Sequence, residues 1–252
     1  MSKIVSIHSF RRGTGKSIMT VNVAALLAAE GRRVVVIDTN LQSPSLHILF
    51  HLAETEIVHP LNEYLCGKCT IQQTLHDVTP RLGTEIKGQV LFIPASSEFV
   101  DIKRVNHEGY DVGILNYGCY ELVEKLGVDA VLIDTHAGLG AETLASIAIT
   151  HTLAIILRLD RQDYQGTSVM LDLARQIDMP PRRLVIANEV PVTFNFTIVK
   201  TELEKTYNCE VAAILPHSQE LMALAGTTIF ALQYPHHPLT TTLKQVAARF
   251  VA

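Results

Sequence analysis

The stretch Ser9-Phe10-Arg11-Arg12-Gly13-Thr14-Gly15-Lys16-Ser17 constrains this chain more than any other. It follows an apolar run, Ile4 to Ile7, and leads into an apolar-periodic segment that begins at Ile18. A strand, a Gly-rich turn and a helix, in that order, make the setting of a phosphate-binding loop. Backbone N–H groups of such a turn, with those of the first helical turn, cradle phosphate oxygens. Lys16 then supplies a charge for the β- and γ-phosphates, and the Ser17 hydroxyl a ligand for Mg²⁺. The ending Gly-Thr-Gly-Lys-Ser fits G-x-x-x-x-G-K-[ST], but the first glycine of that pattern is replaced by Phe10. The competing reading is an ordinary glycine turn before a helix capped by Ser17.

Beyond the loop, short apolar runs alternate with helical periodicity. The expected strands are Ile4–His8, Arg33–Asp38, Val90–Ala95, Ala130–Asp134, Leu153–Leu157, Leu184–Ala187 and Val211–Leu215. The expected helices are Ser17–Glu30, Pro44–Leu52, Tyr110–Leu126, Glu142–Ile149, Gln165–Ile177, Thr197–Tyr207, Gln219–Ala225 and Thr240–Phe250. The run RVVVID is apolar without alternation, as in a strand covered on both faces. Such alternation predicts an α/β fold with a doubly wound, mostly parallel sheet and helices on both faces. At 252 residues and 48% apolar, the chain suffices for a single domain over residues 1–252. Ligands of these sheets sit beyond the carboxyl ends of the strands.

Further polar residues fall at those ends. Asp38 closes RVVVID and is placed to hold a Mg²⁺-bound water, with Asn40 two residues on. Asp134 closes Val131-Leu132-Ile133 in the Walker B arrangement and supports Mg²⁺ in the same way. After it come His136, Gly138 and Gly140, a segment whose glycines permit movement. His136 reads better as a loop residue than as a general base, because phosphoryl transfer needs little covalent help.

These motifs together resemble the MinD/ParA-type ATPases, which carry a deviant loop K-G-G-x-G-K-[ST]. Gly13, Thr14, Gly15, Lys16 and Ser17 match it; Arg11 stands at the signature lysine and Arg12 at the first glycine. The resemblance implies a P-loop NTPase fold, ATP and Mg²⁺ as cofactors, and an ATP-dependent homodimer. It also implies that Arg11 reaches across that dimer to the partner's phosphates. The family's second acid, which positions the attacking water, is here Asn40, able to hydrogen-bond water but unable to take its proton. Asn188 and Pro216 fall where the family reads the adenine base. The implied catalytic set is Lys16, Asn40 and Arg11, and the metal set Ser17, Asp38 and Asp134. The nucleotide set is Arg12, Gly13, Thr14, Gly15, Lys16, Ser17, Ile18, Asn188 and Pro216.

The resemblance further implies a slowly hydrolysing ATPase that positions or partitions a cargo on a surface. That surface would be the nucleoid, through nonspecific DNA binding, with an adaptor protein for the cargo. The branch that distributes carboxysomes includes members without the signature lysine, and the resemblance points that way. The alternative is an ATP-binding regulator with little or no hydrolysis, acting by protein contacts.

The net charge of −4 gives no global attraction to nucleic acid or anionic lipid. DNA contact would need a local patch drawn from Arg158, Arg161, Arg182, Arg183, Lys200 and Lys205, or these are simply a solvated surface offset by nearby acids. Four cysteines and no apolar secretory leader imply a reduced, cytoplasmic protein. The last helical pattern reads as core packing rather than a membrane anchor. Finally, His59, Cys66, Cys69 and His76 have a spacing that could bind zinc but fits no familiar zinc module.

Overall fold

The computed structural model of the chain describes residues 2–83, 86–109 and 111–252. In chain order its principal elements are β1 (Lys3–His8), α1 (Lys16–Ala29), β2 (Arg33–Asp38), α2 (Leu46–Leu49), α3 (Leu61–Leu65), β3 (His76–Asp77) and β4 (Gln89–Ile93). Then follow α4 (Phe99–Glu108), α5 (Val112–Leu126), β5 (Ala130–Asp134), α6 (Ala141–Ala148), β6 (Thr152–Leu157) and α7 (Arg161–Arg175). The chain ends with β7 (Arg182–Val190), α8 (Phe196–Tyr207), β8 (Glu210–Pro216), α9 (Gln219–Ala223), α10 (Phe230–Gln233) and α11 (Pro238–Val251).

The strands form one eight-stranded sheet in the order β3-β4-β2-β5-β1-β6-β7-β8. Every pairing is parallel except the short edge strand β3, which runs antiparallel to β4. The order reverses direction around β1, the position where such sheets open a crevice at the carboxyl ends. The register Asp38↔Asp134 sets two carboxylates side by side at that end, and Ile7↔Asp134 brings in the start of the loop.

The unbroken apolar strands have a direct cause. In β2, Val34 and Val36 join the layer that holds α1, α10 and α11, while Val35 and Ile37 join the opposite layer with α3 and α5. Further along the sheet, α7 and α8 cover Leu153, Ile155, Val185 and Ala187. Period-2 side chains thus enter two cores, and each fully buried Val or Ile contributes about 1.5–3 kcal/mol. In α11, Leu239, Leu243, Val246 and Phe250 are buried, as their helical spacing predicts. No helix among the described residues is long and apolar enough to cross a membrane.

Several boundaries differ from expectation for local reasons. Helix α1 begins at Lys16 and its N-cap is Gly15, so Ser17 is not the cap. Helix α7 begins at Arg161, because the Asp160 carboxylate accepts the amides of Gln162 and Asp163. Helix α11 begins at Pro238, where proline's fixed φ suits a first turn. Helix α2 is only Leu46–Leu49, and His51, just beyond it, has φ of 55°. Helix α4 carried no clear sequence signal; Phe99 and Val100 at its start are exposed. The expected helix from Tyr110 begins at Val112, and Tyr110 lies outside the described residues.

Candidate nucleotide site

The loop between β1 and α1 is shaped by glycines in the left-handed region, with φ of 76° at Gly13 and 97° at Gly15. A Cβ on Gly15 would also lie 2.4 Å from the Asn188 amide nitrogen. Glycine is therefore required there twice over, by backbone and by space. Phe10, at the position of the missing consensus glycine, turns its ring onto α7, where a Cβ on Gly166 would come within 2.0 Å of it.

A cavity of about 210 Å³ opens over this loop, lined by Arg12, Gly13, Lys16, Ser17, Asn40, Ser43, Ser45, Asp134, Thr135 and Ala137. Lys16 Nζ donates to Ser9 Oγ at 3.0 Å. Burial lowers the Lys16 pKa, with Arg12 adding to the shift and Asp134 opposing it. Ser17 Oγ donates to Asp134 Oδ2 at 2.7 Å, and Thr20 Oγ1 to Asp134 Oδ1 at 3.2 Å. Asp38 accepts the backbone amide of Asn40 at 3.0 Å and those of Ser45 and Leu46 at 3.2 Å, so it also fixes the start of α2.

Asp38 and Asp134 are 1% and 2% exposed. Burial raises both pKa values, and for Asp38 the neighbouring Asp134 charge raises it further. Two desolvated carboxylates with a hydroxyl between loop and strand form the oxygen-rich donor set that Mg²⁺ takes. The residues present therefore fit the ion: Ser17 would ligate it, and Asp38 and Asp134 would hold its waters. Asn40 donates its amide to the Ser43 carbonyl, while its Oδ1 is buried with no partner among the described residues. Asn40 borders the cavity, while this bare acceptor is itself buried.

The two arginines divide differently from expectation. In the single chain Arg11 is held against its own surface. Its guanidinium meets Asp163 at 2.7 Å, Gln162 at 2.7 Å and the Asp160 carboxylate. The physical reason is local: Asp160 caps α7 and Asp163 lies in its first turn, so two acids converge under the loop. The hydrogen bond to Asp163 holds the Arg11 pKa above its ordinary value. Arg12 instead lines this cavity and donates to His136 Nε2 at 2.8 Å. Because Arg12 is the donor, His136 Nε2 must be unprotonated; burial and the Arg12 charge both lower the His136 pKa.

His8 was not singled out by the sequence, although it ends an otherwise apolar strand at the loop. Thr135 Oγ1 donates to the Ile7 carbonyl at 3.0 Å, so His8 Nδ1–H donates to Thr135 Oγ1 at 2.6 Å. His8 Nε2 is buried without a partner among the described residues. Burial first, then Lys16 and His136, lowers the His8 pKa to about 3. The loop and the segment after β5 are joined again by Gly138 N–H donating to the Ser9 carbonyl at 3.2 Å.

Asn188 donates to the Thr14 carbonyl at 2.8 Å, which ties β7 to the loop and spends one amide hydrogen. Pro216 ends β8. A second cavity of about 520 Å³ opens beyond these two strands, lined by Glu189, Pro191, Val192, Thr193, His217, Gln219 and Glu220. Its size suits a base and ribose.

The candidate DNA contacts do not form one patch. Arg158 follows the carboxyl end of β6, whereas Arg182 and Arg183 begin β7 at the opposite end of the sheet. Arg158 pairs with Glu189 at 3.0 Å, Arg182 with Glu210 at 2.9 Å, and Lys200 with Glu204 at 3.8 Å. Arg183 donates to the Pro181 carbonyl. Arg161 and Lys205 are exposed and carry no ion pair among the described residues.

Residues 5–228 match the family described as the CobQ/CobB/MinD/ParA nucleotide binding domain. An uncharacterised ATP-binding protein of Methanocaldococcus jannaschii is 24% identical over 252 residues, covering 100% of this chain and 88% of its own length. The septum site-determining protein MinD of a Synechocystis strain is 25% identical over 226 residues, covering 88% of this chain and 79% of its own. The solved structure of MinD complexed with Mg-ADP from Pyrococcus horikoshii superposes with a TM-score of 0.79 at 18% identity, covering 99% of this chain and 96% of that one.

Proposed function

The chain belongs to the CobQ/CobB/MinD/ParA nucleotide-binding family, and we propose that it is an ATP-switched, dimerising ATPase that positions or partitions a cargo on a surface. The observation that carries this reading is the convergence of Lys16, Ser17, Asn40 and Asp134 around one cavity at the carboxyl ends of neighbouring strands, with Asp38 buried in register beside Asp134.

In this reading the loop amides and Lys16 bind the β- and γ-phosphates, and the base and ribose lie beyond β7 and β8 near Asn188 and Pro216. Mg²⁺, held through Ser17, Asp38 and Asp134, supplies charge neutralisation on the phosphates. Asn40 Oδ1 orients the attacking water without accepting its proton, so turnover is slow. Arg12, rather than Arg11, provides the phosphate-facing cation at the exposed mouth of the cavity. Arg11 anchors the loop to α7. The segment after β5 senses the γ-phosphate through its bonds to the loop. A second copy of the chain closes over the ATP-bound face, as the family resemblance implies.

The cargo contact is assigned to an adaptor protein and the surface to nonspecific DNA, with Arg161 and Lys205 among the exposed cations that carry no ion pair within the described residues. A second reading, an ATP-binding regulator with little hydrolysis, is favoured by Asn40 itself, since an acid is absent where water must be activated. Calorimetry of ATP binding by wild type and Lys16→Ala tests the site: severe weakening is expected in the variant, and equal affinities would overturn it. ATP turnover with and without double-stranded DNA then separates the two readings.

A further inference from the structure

Outside the nucleotide site, a short segment after α2 gathers unlike metal-ligating side chains. His59, Glu63 and Cys69 each present a ligand atom within 4.8 Å of the other two. His59 Nδ1 and Glu63 Oε2 are 2.7 Å apart. From these positions we propose that His59, Glu63 and Cys69 form a binding site for a zinc-type divalent ion.

The backbone that presents these groups is fixed. Helix α3 carries Glu63 and buries Leu61, Tyr64 and Leu65. Its start is bonded to the end of β4, with the Leu61 amide on the Pro94 carbonyl at 2.7 Å and Asn62 Oδ1 accepting the Ser96 amide at 2.7 Å. The chain then reverses: Gly67 adopts φ of 70°, and the Lys68 amide bonds back to the Glu63 carbonyl at 2.9 Å. That turn returns Cys69 beside the His59–Glu63 pair, with Cys69 packed against the core. A site on supported elements needs little reorganisation to take an ion.

The sequence spacing alone pointed to Cys66 and His76 as partners, and the structure replaces them with Glu63. His76 uses both ring nitrogens, Nδ1 against the Thr74 carbonyl at 2.9 Å and Nε2 accepting the Val58 amide at 3.4 Å. Cys66 ends α3 as its C-cap and is not in the group.

The donor chemistry selects the ion. One imidazole nitrogen, one carboxylate oxygen and one thiolate suit Zn²⁺, whereas Mg²⁺ and Ca²⁺ take oxygen. A tetrahedral ion would keep its fourth position for water. Burial, then the Glu63 charge, raises the Cys69 thiol pKa, so the free site holds its proton. Binding breaks the His59–Glu63 hydrogen bond, moves the His59 proton from Nδ1 to Nε2 by exchange with solvent, places three new ligand bonds on the ion and releases the Cys69 proton to solvent.

The test is a Co²⁺ titration of the chelator-stripped, full-length protein in excess Mg²⁺ without nucleotide, followed by absorbance. A thiolate-to-cobalt charge-transfer band saturating at one equivalent, and displaced by Zn²⁺, is expected. Cys69→Ser should abolish the band, and Glu63→Gln should weaken Co²⁺ binding by about 10–100-fold or more. Cys66→Ser should leave both unchanged. Circular dichroism confirms that each variant is folded; if Cys69→Ser is not, Glu63→Gln and His59→Gln decide. No band in the wild type, a band that survives Cys69→Ser, a band lost in Cys66→Ser, or affinity unmoved by Glu63→Gln overturns the assignment.

Discussion

Arg11 Nε donates to Asp163 Oδ1 at 2.7 Å, and the other oxygen of the same carboxylate accepts the Arg158 backbone amide at 2.9 Å. One buried acid thus ties the phosphate loop to the turn between β6 and α7. In the single chain this makes Arg11 a strut, while Arg12 joins Lys16 in lining the cavity. Light scattering with ATP and Mg²⁺ separates the two roles. Arg12→Ala should abolish ATP-dependent dimerisation, while Arg11→Ala should reduce it only in part. If Arg11→Ala alone abolishes dimers and Arg12→Ala leaves them intact, the roles are reversed. Arg12→Gly that dimerises better than wild type would instead mark Arg12 as a block.

Asp163 itself should matter for stability. Asp163→Ala leaves the Arg158 amide without its acceptor, a loss of about 1–3 kcal/mol for a buried donor. Urea unfolding that shows no change in midpoint would mean the turn is held by other bonds.

The Phe10–Gly166 contact predicts a compensating pair. Gly166→Ala forces a methyl into the Phe10 ring and should cost about 1–3 kcal/mol. Phe10→Ala would still leave its Cβ 2.6 Å from that methyl, whereas Phe10→Gly clears the space, so the Phe10→Gly/Gly166→Ala double variant should recover part of that loss. Additive losses in thermal unfolding would show that the ring and the helix do not compete for this space.

The strands and the loop were legible in the sequence because each carries its own local signature. RVVVID is apolar on both faces since both faces are covered, and the Gly-rich ending of the loop reflects backbone angles that other residues resist. The fates of Arg11 and Arg12 were not legible. Neighbouring positions in a motif imply equal claims on the phosphate, but the acids that capture Arg11 lie about 150 residues away, as the pairs with Asp160 and Asp163 show. Likewise the proposed metal site was not legible in the Cys and His spacing, because Glu63 carries no such signal. His8 was hidden for the opposite reason: a polar residue at the end of a mostly apolar strand gives no hint of its tautomer or its partner.

His8 predicts a pH dependence. Its folded pKa of about 3 lies below the ordinary value of 6.5. The unfolded chain therefore binds more protons in that window, and stability falls as pH drops from 6.5 toward 3. The slope reaches at most about 1.4 kcal/mol per pH unit. His8→Gln cannot titrate, so the gap in unfolding free energy between wild type and variant should narrow as pH is lowered from 7 to 5. A constant gap would place the His8 proton equilibrium outside folding.

In the proposed function Asn40 sets how long the ATP-bound state lasts. Its side chain is held by the Ser43 carbonyl through the amide, and the residue lines the cavity with its Oδ1 buried and without a partner among the described residues. An amide oxygen can accept a hydrogen bond from water but cannot take the proton as the bond to phosphorus forms. Asn40→Asp supplies a carboxylate on the same backbone, beside a loop that already carries Lys16 and Arg12 to offset the added charge. Turnover measured with saturating ATP and Mg²⁺ should rise, by up to about 10²–10³-fold if the water-activating group is what the wild type lacks. Asn40→Ala should lower it, because the water loses its acceptor. If Asn40→Asp hydrolyses no faster than wild type, the water is positioned from elsewhere in the cavity. If Asn40→Ala also matches wild type, the bare Oδ1 has no part in the reaction.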